Sequence, residues 1–204
     1  MPKRKIQKRT PLPAIAIVGD GLCEQVYFQQ LREVESIRHI QIKPELPNTS
    51  GKGGFRRVLA KAEELKKVGY NYVFCLMDLD VVFQNSHQDV YRKEKKRVQN
   101  LGVTVIECNP CFEVWFLLHF KRTNRSFDDC RQLERILRQE TDLAEYAKER
   151  RYFERKNLYS TLRPRLHSEA IPNSEWLEKQ HDESQGDHFL RCEVHKVIQA
   201  LLPT

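Results

Sequence analysis

Tyr72-Val73-Phe74-Cys75-Leu76-Met77-Asp78-Leu79-Asp80 is a run of strand formers that ends abruptly in acid. Aromatic and β-branched side chains favour extended backbone, and a short continuous apolar run suits a strand covered on both faces. Just upstream, Phe55–Lys67 carries Val58, Leu59, Ala62 and Leu65 at helical spacing. Before that, His39–Ile42 is a second apolar run, followed by a polar turn from Pro47 to Gly54 that holds three glycines. Ala14–Val18 is a third such run, and Val26, Phe28, Leu31 and Val34 mark a helix from Glu24 onward. Downstream, Val90–Asn100 reads as a strongly basic helix and Val103–Ile106 as a strand. Phe112–Phe120 is apolar nearly all round and so predicts a buried helix. Strand and helix alternating in this order predict an α/β domain with a largely parallel central sheet flanked by helices.

Beyond about residue 121 the strand patterns stop. Residues 127–202 read as helices broken at Pro164, Pro172 and Gln185–Asp187. The expected organisation is a basic tail over 1–13, an α/β core over 14–122 and a helical extension over 123–204 that packs on the core.

The bulk composition narrows the classes. With 204 residues, 40% hydrophobic and 31% charged, the chain suits a globular domain and not a disordered one. Its net charge of +7 favours an acidic partner. No stretch approaches the roughly 20 apolar residues of a membrane span. Lys3, Arg4, Lys5, Lys8 and Arg9 precede Ile15–Val18, but that run is cut short by Asp20 and preceded by Pro11 and Pro13. It is too short for a signal-peptide core, so a cytoplasmic protein is expected. The six cysteines are scattered, unlike a secreted disulfide framework.

Ligands collect at the carboxyl ends of strands in an open parallel sheet, and two of these ends carry acid. The first strand runs into Gly19-Asp20-Gly21, with Glu24 one helical turn after Asp20. The other ends in Asp78-Leu79-Asp80, where i and i+2 of an extended segment share a face. Carboxylates held this close need a compensating cation, and hard oxygen donors suit Mg²⁺ or Mn²⁺. Such an ion can bind a phosphate oxygen and activate water. Asp20, Glu24, Asp78 and Asp80 are therefore the expected metal ligands. Helix capping and solvated turns are the competing explanation for acids at strand ends.

Three strings and a short fourth carry a family resemblance. Gly19-Asp20-Gly21-Leu22-Cys23-Glu24-Gln25-Val26-Tyr27-Phe28 resembles the G-E-G-x-T-E-x-x-Y-F opening of RloB-like proteins, and Phe74–Asp80 resembles their DxD strand. Asn109-Pro110-Cys111-Phe112-Glu113-Val114-Trp115-Phe116-Leu117-Leu118-His119-Phe120 is similar to their N-P-C-F-E-x-W-x-L-L-H-F signature, the longest and most specific of the three. Cys192-Glu193-Val194-His195-Lys196 is similar to the family's closing T-x-V-H-x segment. The resemblance implies a Toprim-like, Rossmann-like fold, as in primases, topoisomerases and overcoming-lysogenization-defect nucleases. It also implies a nuclease of anti-phage, restriction-linked defence, acting on DNA or RNA and working with a defence-system partner protein. By position, Asp20 stands for the Toprim glutamate, Glu24 for the second glutamate, and Asp78 and Asp80 for the DxD. Glu113 is the acid of the third motif and the fifth expected catalytic residue. Two departures from the pattern matter: Asp20 is one methylene shorter than Glu, and Cys23 replaces Thr. These departures keep open a non-catalytic, nucleic-acid-binding Toprim module.

Between residues 148 and 165 lie seven Lys or Arg residues interleaved with Tyr152, Phe153 and Tyr159. Cations that neutralise phosphate beside rings that stack bases suit nucleic acid, and Arg150, Arg151, Tyr152, Arg155 and Lys156 are its expected contacts. Arg92, Lys93, Lys95, Lys96 and Arg97 form a second basic run. His119, on the apolar helix after Glu113, is expected to be a hydrogen-bonded core histidine rather than a base. Two other chemistries fit parts of the sequence. Leu76–Val82 matches the haloacid-dehalogenase D-x-D-x-[TV] pattern, in which Asp78 is a phosphatase nucleophile, although that pattern normally opens the fold. Cys108-Asn109-Pro110-Cys111 has the form of a redox CxPC, set against plain packing of both sulfurs. Gly51-Lys52-Gly53-Gly54 lacks the flanking residues of a P-loop.

Overall fold

The computed structural model describes residues 14–19, 21–38, 40–42, 54–84, 86–180 and 189–203. In chain order the core elements are β1 (Ile15–Val18), α1 (Leu22–Val34), β2 (Ile40–Ile42), α2 (Gly54–Val68), β3 (Tyr72–Asp78), α3 (Asp80–Gln84), α4 (Gln88–Asn100), β4 (Val103–Asn109) and α5 (Glu113–Leu118). Then come α6 (Cys130–Glu140), α7 (Arg150–Arg155), α8 (Leu158–Leu162), a 3₁₀ turn over Arg163–Arg165, a π turn over Leu166–Ala170, α9 (Ile171–Lys179), β5 (Arg191–Cys192) and α10 (Val194–Leu201).

The strands form one sheet in the order β2-β1-β3-β4-β5. Four are parallel, as the helical crossovers between them require, and β5 lies antiparallel on β4 with Cys108 opposite Cys192. The architecture is thus an α/β fold with a largely parallel open sheet flanked by helices. The sequence pattern missed β5, because a two-residue strand has no periodicity of its own.

Alternation along the strands separates two apolar layers. Ala16, Val18, Val73, Cys75, Met77, Val103 and Val105 face α2 and α4. Ile15, Ile17, Phe74, Leu76, Ile106 and Cys108 face α1, α5 and the C-terminal helices. Asp78 continues the second series by parity, which puts the acid end of β3 on the α5 side. The C-terminal helices are tied to this face by buried polar groups. Gln30 of α1 donates to the Lys156 carbonyl at 3.2 Å and accepts from Tyr159 N–H at 3.1 Å. Asn173 of α9 donates to the Leu118 carbonyl at 2.8 Å. Among the described residues, no helix is long and apolar enough to cross a membrane.

Candidate metal centre

Asp78, Cys111, Glu113 and Cys130 each offer a ligand atom at the carboxyl edge of the sheet, and these atoms all lie within 4.8 Å of one another. Each arrives by a distinct local device. Asp78 is the last residue of β3. Cys111 follows the cis peptide between Asn109 and Pro110 at the end of β4, and Glu113 opens α5. Cys130 is the first residue of α6, a helix whose N-cap Asp129 accepts from Gln132 N–H at 2.9 Å. Cys111 and Cys130 are joined by a disulfide with their Cα atoms 6.0 Å apart.

Glu113 is fully buried, and its two oxygens differ. Oε1 accepts from Tyr146 Oη at 2.8 Å and Cys23 Sγ at 3.3 Å, and pairs with Lys148 Nζ at 3.0 Å. Oε2 has no hydrogen-bond partner among the described residues. Burial, reinforced by the Glu113 charge, pushes the Cys23 thiol and Tyr146 hydroxyl well up, so both act as proton donors to the carboxylate. Burial opposes the Lys148 charge, but the nearby carboxylates, Glu113 first and then Asp78 and Glu24, outweigh it and raise its pKa above the usual lysine range. Lys148 is therefore a permanent ammonium set among these acids.

The other expected ligands have different settings. Glu24 is 2% exposed on the first turn of α1. A Cβ at Gly21 would lie 1.9 Å from its Oε2, so a larger residue there would force the Glu24 carboxylate to shift, while the Gly21 backbone itself is ordinary extended chain. Asp20 lies outside the described residues. Asp78 and Asp80 do not share a strand face, because the strand stops at Asp78. Leu79 N–H donates to the Cys108 carbonyl, and Asp80 N–H to that of Pro110 as Asp80 begins α3. The two carboxylates converge on Cys130 instead, where Asp80 Oδ2 is 3.5 Å from the sulfur. A cavity of about 360 Å³ opens beside Asp80, with Phe83, Phe127, Phe189, Asn109 and Pro110 among its walls. The motif strings are thus brought together at one edge. A family model described as RloB-like protein matches residues 15–201.

The chain belongs to the RloB-like family. No curated protein and no solved structure matches it. The RloB-like signature over residues 109–120 supplies Cys111 and Glu113 to the cluster, while its His119 is a core residue. The His119 Nδ1 is 2.8 Å from the Trp115 carbonyl, and burial lowers its pKa to about 4.

The expected nucleic-acid contacts divide. Arg150, Arg151, Arg155 and Lys156 are exposed on and beside α7, which begins two positions after Lys148. Tyr152 does not suit a stacking role. It is 5% exposed, packed edge-on to Tyr146 and Phe153, because α7 turns its aromatic face into the core. Phe153 and Tyr159 are buried with it. In the second basic run, Arg92, Lys95 and Arg97 pair with Asp89, Glu107 and Glu63 of this same chain. The CxPC redox pair does not form: Cys108 is a buried free thiol, and Cys111 bonds to Cys130. Tyr146, Lys148 and Cys130 were missed as site residues. Their only sequence signal was a basic run and a lone cysteine, far from the motifs.

Proposed function

We propose that this RloB-like protein is a Mg²⁺- or Mn²⁺-dependent nuclease of Toprim-like fold that hydrolyses phosphodiester bonds of DNA or RNA in the cytoplasm, as part of prokaryotic anti-phage defence. The observation that carries this reading is the convergence of Asp78 and Glu113 at the carboxyl edge of the sheet, with Glu113 Oε2 open. Asp78 and Glu113 would hold the ion, with Asp80 and Glu24 beside them, and their hard oxygens fit Mg²⁺ or Mn²⁺. When bound, such an ion polarises a phosphoryl oxygen and lowers the pKa of water.

The chain's own residues supply the rest. Lys148, about one third exposed, offers a fixed positive charge to a phosphate oxygen. Tyr146 and Cys23 hold the Glu113 carboxylate in one orientation. Arg150, Arg151, Arg155 and Lys156 extend the cationic surface from Lys148 along α7, where a phosphate backbone is attracted without regard to sequence. Phe83, Phe127 and Phe189 in the cavity beside Asp80 give a base surfaces for stacking, the role Tyr152 cannot fill.

The test incubates the protein with single- and double-stranded DNA and RNA, with and without Mn²⁺, beside an Asp78→Ala/Asp80→Ala variant. Cleavage should require the metal and fall in the variant to the level of the metal-free control. Metal-dependent cleavage that survives the double change would overturn the assignment.

A further inference from the structure

The sulfur content of the metal centre is unusual for a magnesium site. Two of its four clustered donors are cysteines, and thiolate sulfur selects zinc-type ions over Mg²⁺ or Mn²⁺. Their state also differs from that of the other cysteines. Cys23, Cys75, Cys108 and Cys192 are all buried free thiols. Cys108 and Cys192, which face each other across β4 and β5, are not joined by a disulfide. Among the described residues, the disulfide occurs only where two sulfurs meet Asp78 and Glu113.

We propose that Cys111 and Cys130 are a reversible dithiol that converts this centre between two metal-binding states. Reduced, the two thiolates join Asp78 and Glu113 as a four-donor site for a thiophilic divalent ion such as Zn²⁺. Oxidised, the site keeps only its carboxylates. The inference rests on the reading of Asp78 and Glu113 as metal-holding acids. The open Oε2 of fully buried Glu113 is the independent sign that the cluster takes a ligand.

The oxidant of the proposal is a hydroperoxide. Cys130 is half-buried and Cys111 fully buried, so Cys130 meets the peroxide first. Its sulfur attacks one peroxide oxygen, the O–O bond breaks, and an alcohol or water leaves as Cys130 becomes a sulfenic acid. The Cys111 sulfur then attacks that sulfur, the S–O bond breaks, and a second water leaves as the S–S bond forms. Two electrons pass from the two sulfurs to the peroxide oxygens, and the two protons of the dithiol end in the alcohol and water. A thiol reductant reverses the step by exchange.

The test uses the full chain, reduced under anaerobic conditions, and Co²⁺ as the probe. The reduced protein should bind Co²⁺ with a sulfur-to-cobalt charge-transfer band in the near ultraviolet that Zn²⁺ displaces. Hydrogen peroxide should abolish the band and weaken Co²⁺ binding at least about tenfold, the smallest loss seen when even an outer partner of a metal ligand is disturbed. Peptide mass mapping should then show the Cys111–Cys130 cross-link. Cys130→Ser, at the half-buried position, should bind without the full band and no longer respond to peroxide. The peroxide arm needs no variant, so misfolding of Cys130→Ser leaves the test intact. Co²⁺ bound without a sulfur band, or a band that survives oxidation, overturns the proposal. A parallel Mn²⁺ titration separates the two readings. Mn²⁺ bound with no cobalt–sulfur band removes only the thiolate site, and neither ion bound removes both.

Discussion

Two buried glutamates occupy opposite faces of the same sheet edge. Glu107, near the end of β4, faces the α4 side, and Glu113, six residues later, faces the α1 side. Both have side chains at most 3% exposed. The Glu107 Oε1 accepts from Tyr91 Oη at 2.7 Å and Lys95 Nζ at 2.6 Å, and Oε2 pairs with Arg191. Burial works against its charge, but Lys95 and Arg191 outweigh burial and hold the carboxyl below the usual glutamate range. Glu113 gathers three partners on one oxygen and leaves the other open. A carboxylate satisfied on both oxygens locks β4, α4 and β5 together. One satisfied on a single oxygen is oriented but still able to take a ligand. Between these two equally buried acids, this asymmetry is what marks Glu113 as the candidate site acid and Glu107 as a structural one.

The widest gap between the two faces should come from isosteric neutralisation at the satisfied acid. Glu107→Gln keeps the shape but aims an amide N–H₂ either at Tyr91 and Lys95 or at Arg191, so donors face donors whichever way it turns. Breaking a buried ion pair costs about 3–5 kcal/mol. Lys95 and Arg191 are each about one quarter exposed and recover some hydration, which argues for the middle of that range, about 4 kcal/mol. Urea denaturation at neutral pH measures it. A loss below about 1 kcal/mol would mean that the cations relax into water and that Glu107 is not the lock described.

His119 sharpens the comparison from within α5. Its Nε2 is also open and buried, so an open atom alone does not make a site. What differs is charge. Burial keeps the ring neutral, with its pKa lowered from 6.5 to about 4, whereas Glu113 sits against an ammonium. The folded state resists the proton that the unfolded chain accepts. Stability from this group is therefore full above about pH 6.5 and is lost as pH falls toward 4, by about 3 kcal/mol in total. The difference in urea midpoint between wild type and His119→Leu, measured at pH 7.5 and pH 4.5, checks it. A difference that does not change with pH removes His119 as the titrating group.

The legible parts of the molecule are those whose signal is local. β1, β3 and β4 are continuous apolar runs, α1 and α2 show apolar residues at helical spacing, and α4 is a strongly basic run, so local pattern places them. α3 was hidden because Asp78-Leu79-Asp80 reads equally as extended chain; the turn into a helix is set by hydrogen bonds to the Cys108 and Pro110 carbonyls, on β4 and just beyond it. Within the site, Asp78 and Glu113 were visible through their motifs. Tyr146 and Lys148 were not, since they are brought to Glu113 by the docking of segments more than 30 residues away, which no periodicity encodes. The same docking explains Tyr152. Interleaved rings and cations look alike whether the rings face solvent or core, and here they face the core.

The smallest effect on stability is expected at Glu113, the acid on which the proposed metal site rests. Glu113→Gln retains a carbonyl oxygen that can accept from Tyr146 and Cys23, and its amide nitrogen can occupy the position of the open Oε2, where no donor opposes it. Lys148 loses a partner, but one third of its side chain is exposed and water can take up its charge. Removing a buried negative charge offsets part of that loss. The net change in unfolding free energy should stay under about 1 kcal/mol, against about 4 for the same swap at Glu107. Divalent-metal affinity should move the other way, falling at Glu113→Gln and holding at Glu107→Gln. Paired urea and Mn²⁺ titrations on the two variants read both quantities. If Glu113→Gln unfolds as readily as Glu107→Gln and binds Mn²⁺ unchanged, the two acids are equivalent locks, and the open oxygen has no bearing on a ligand.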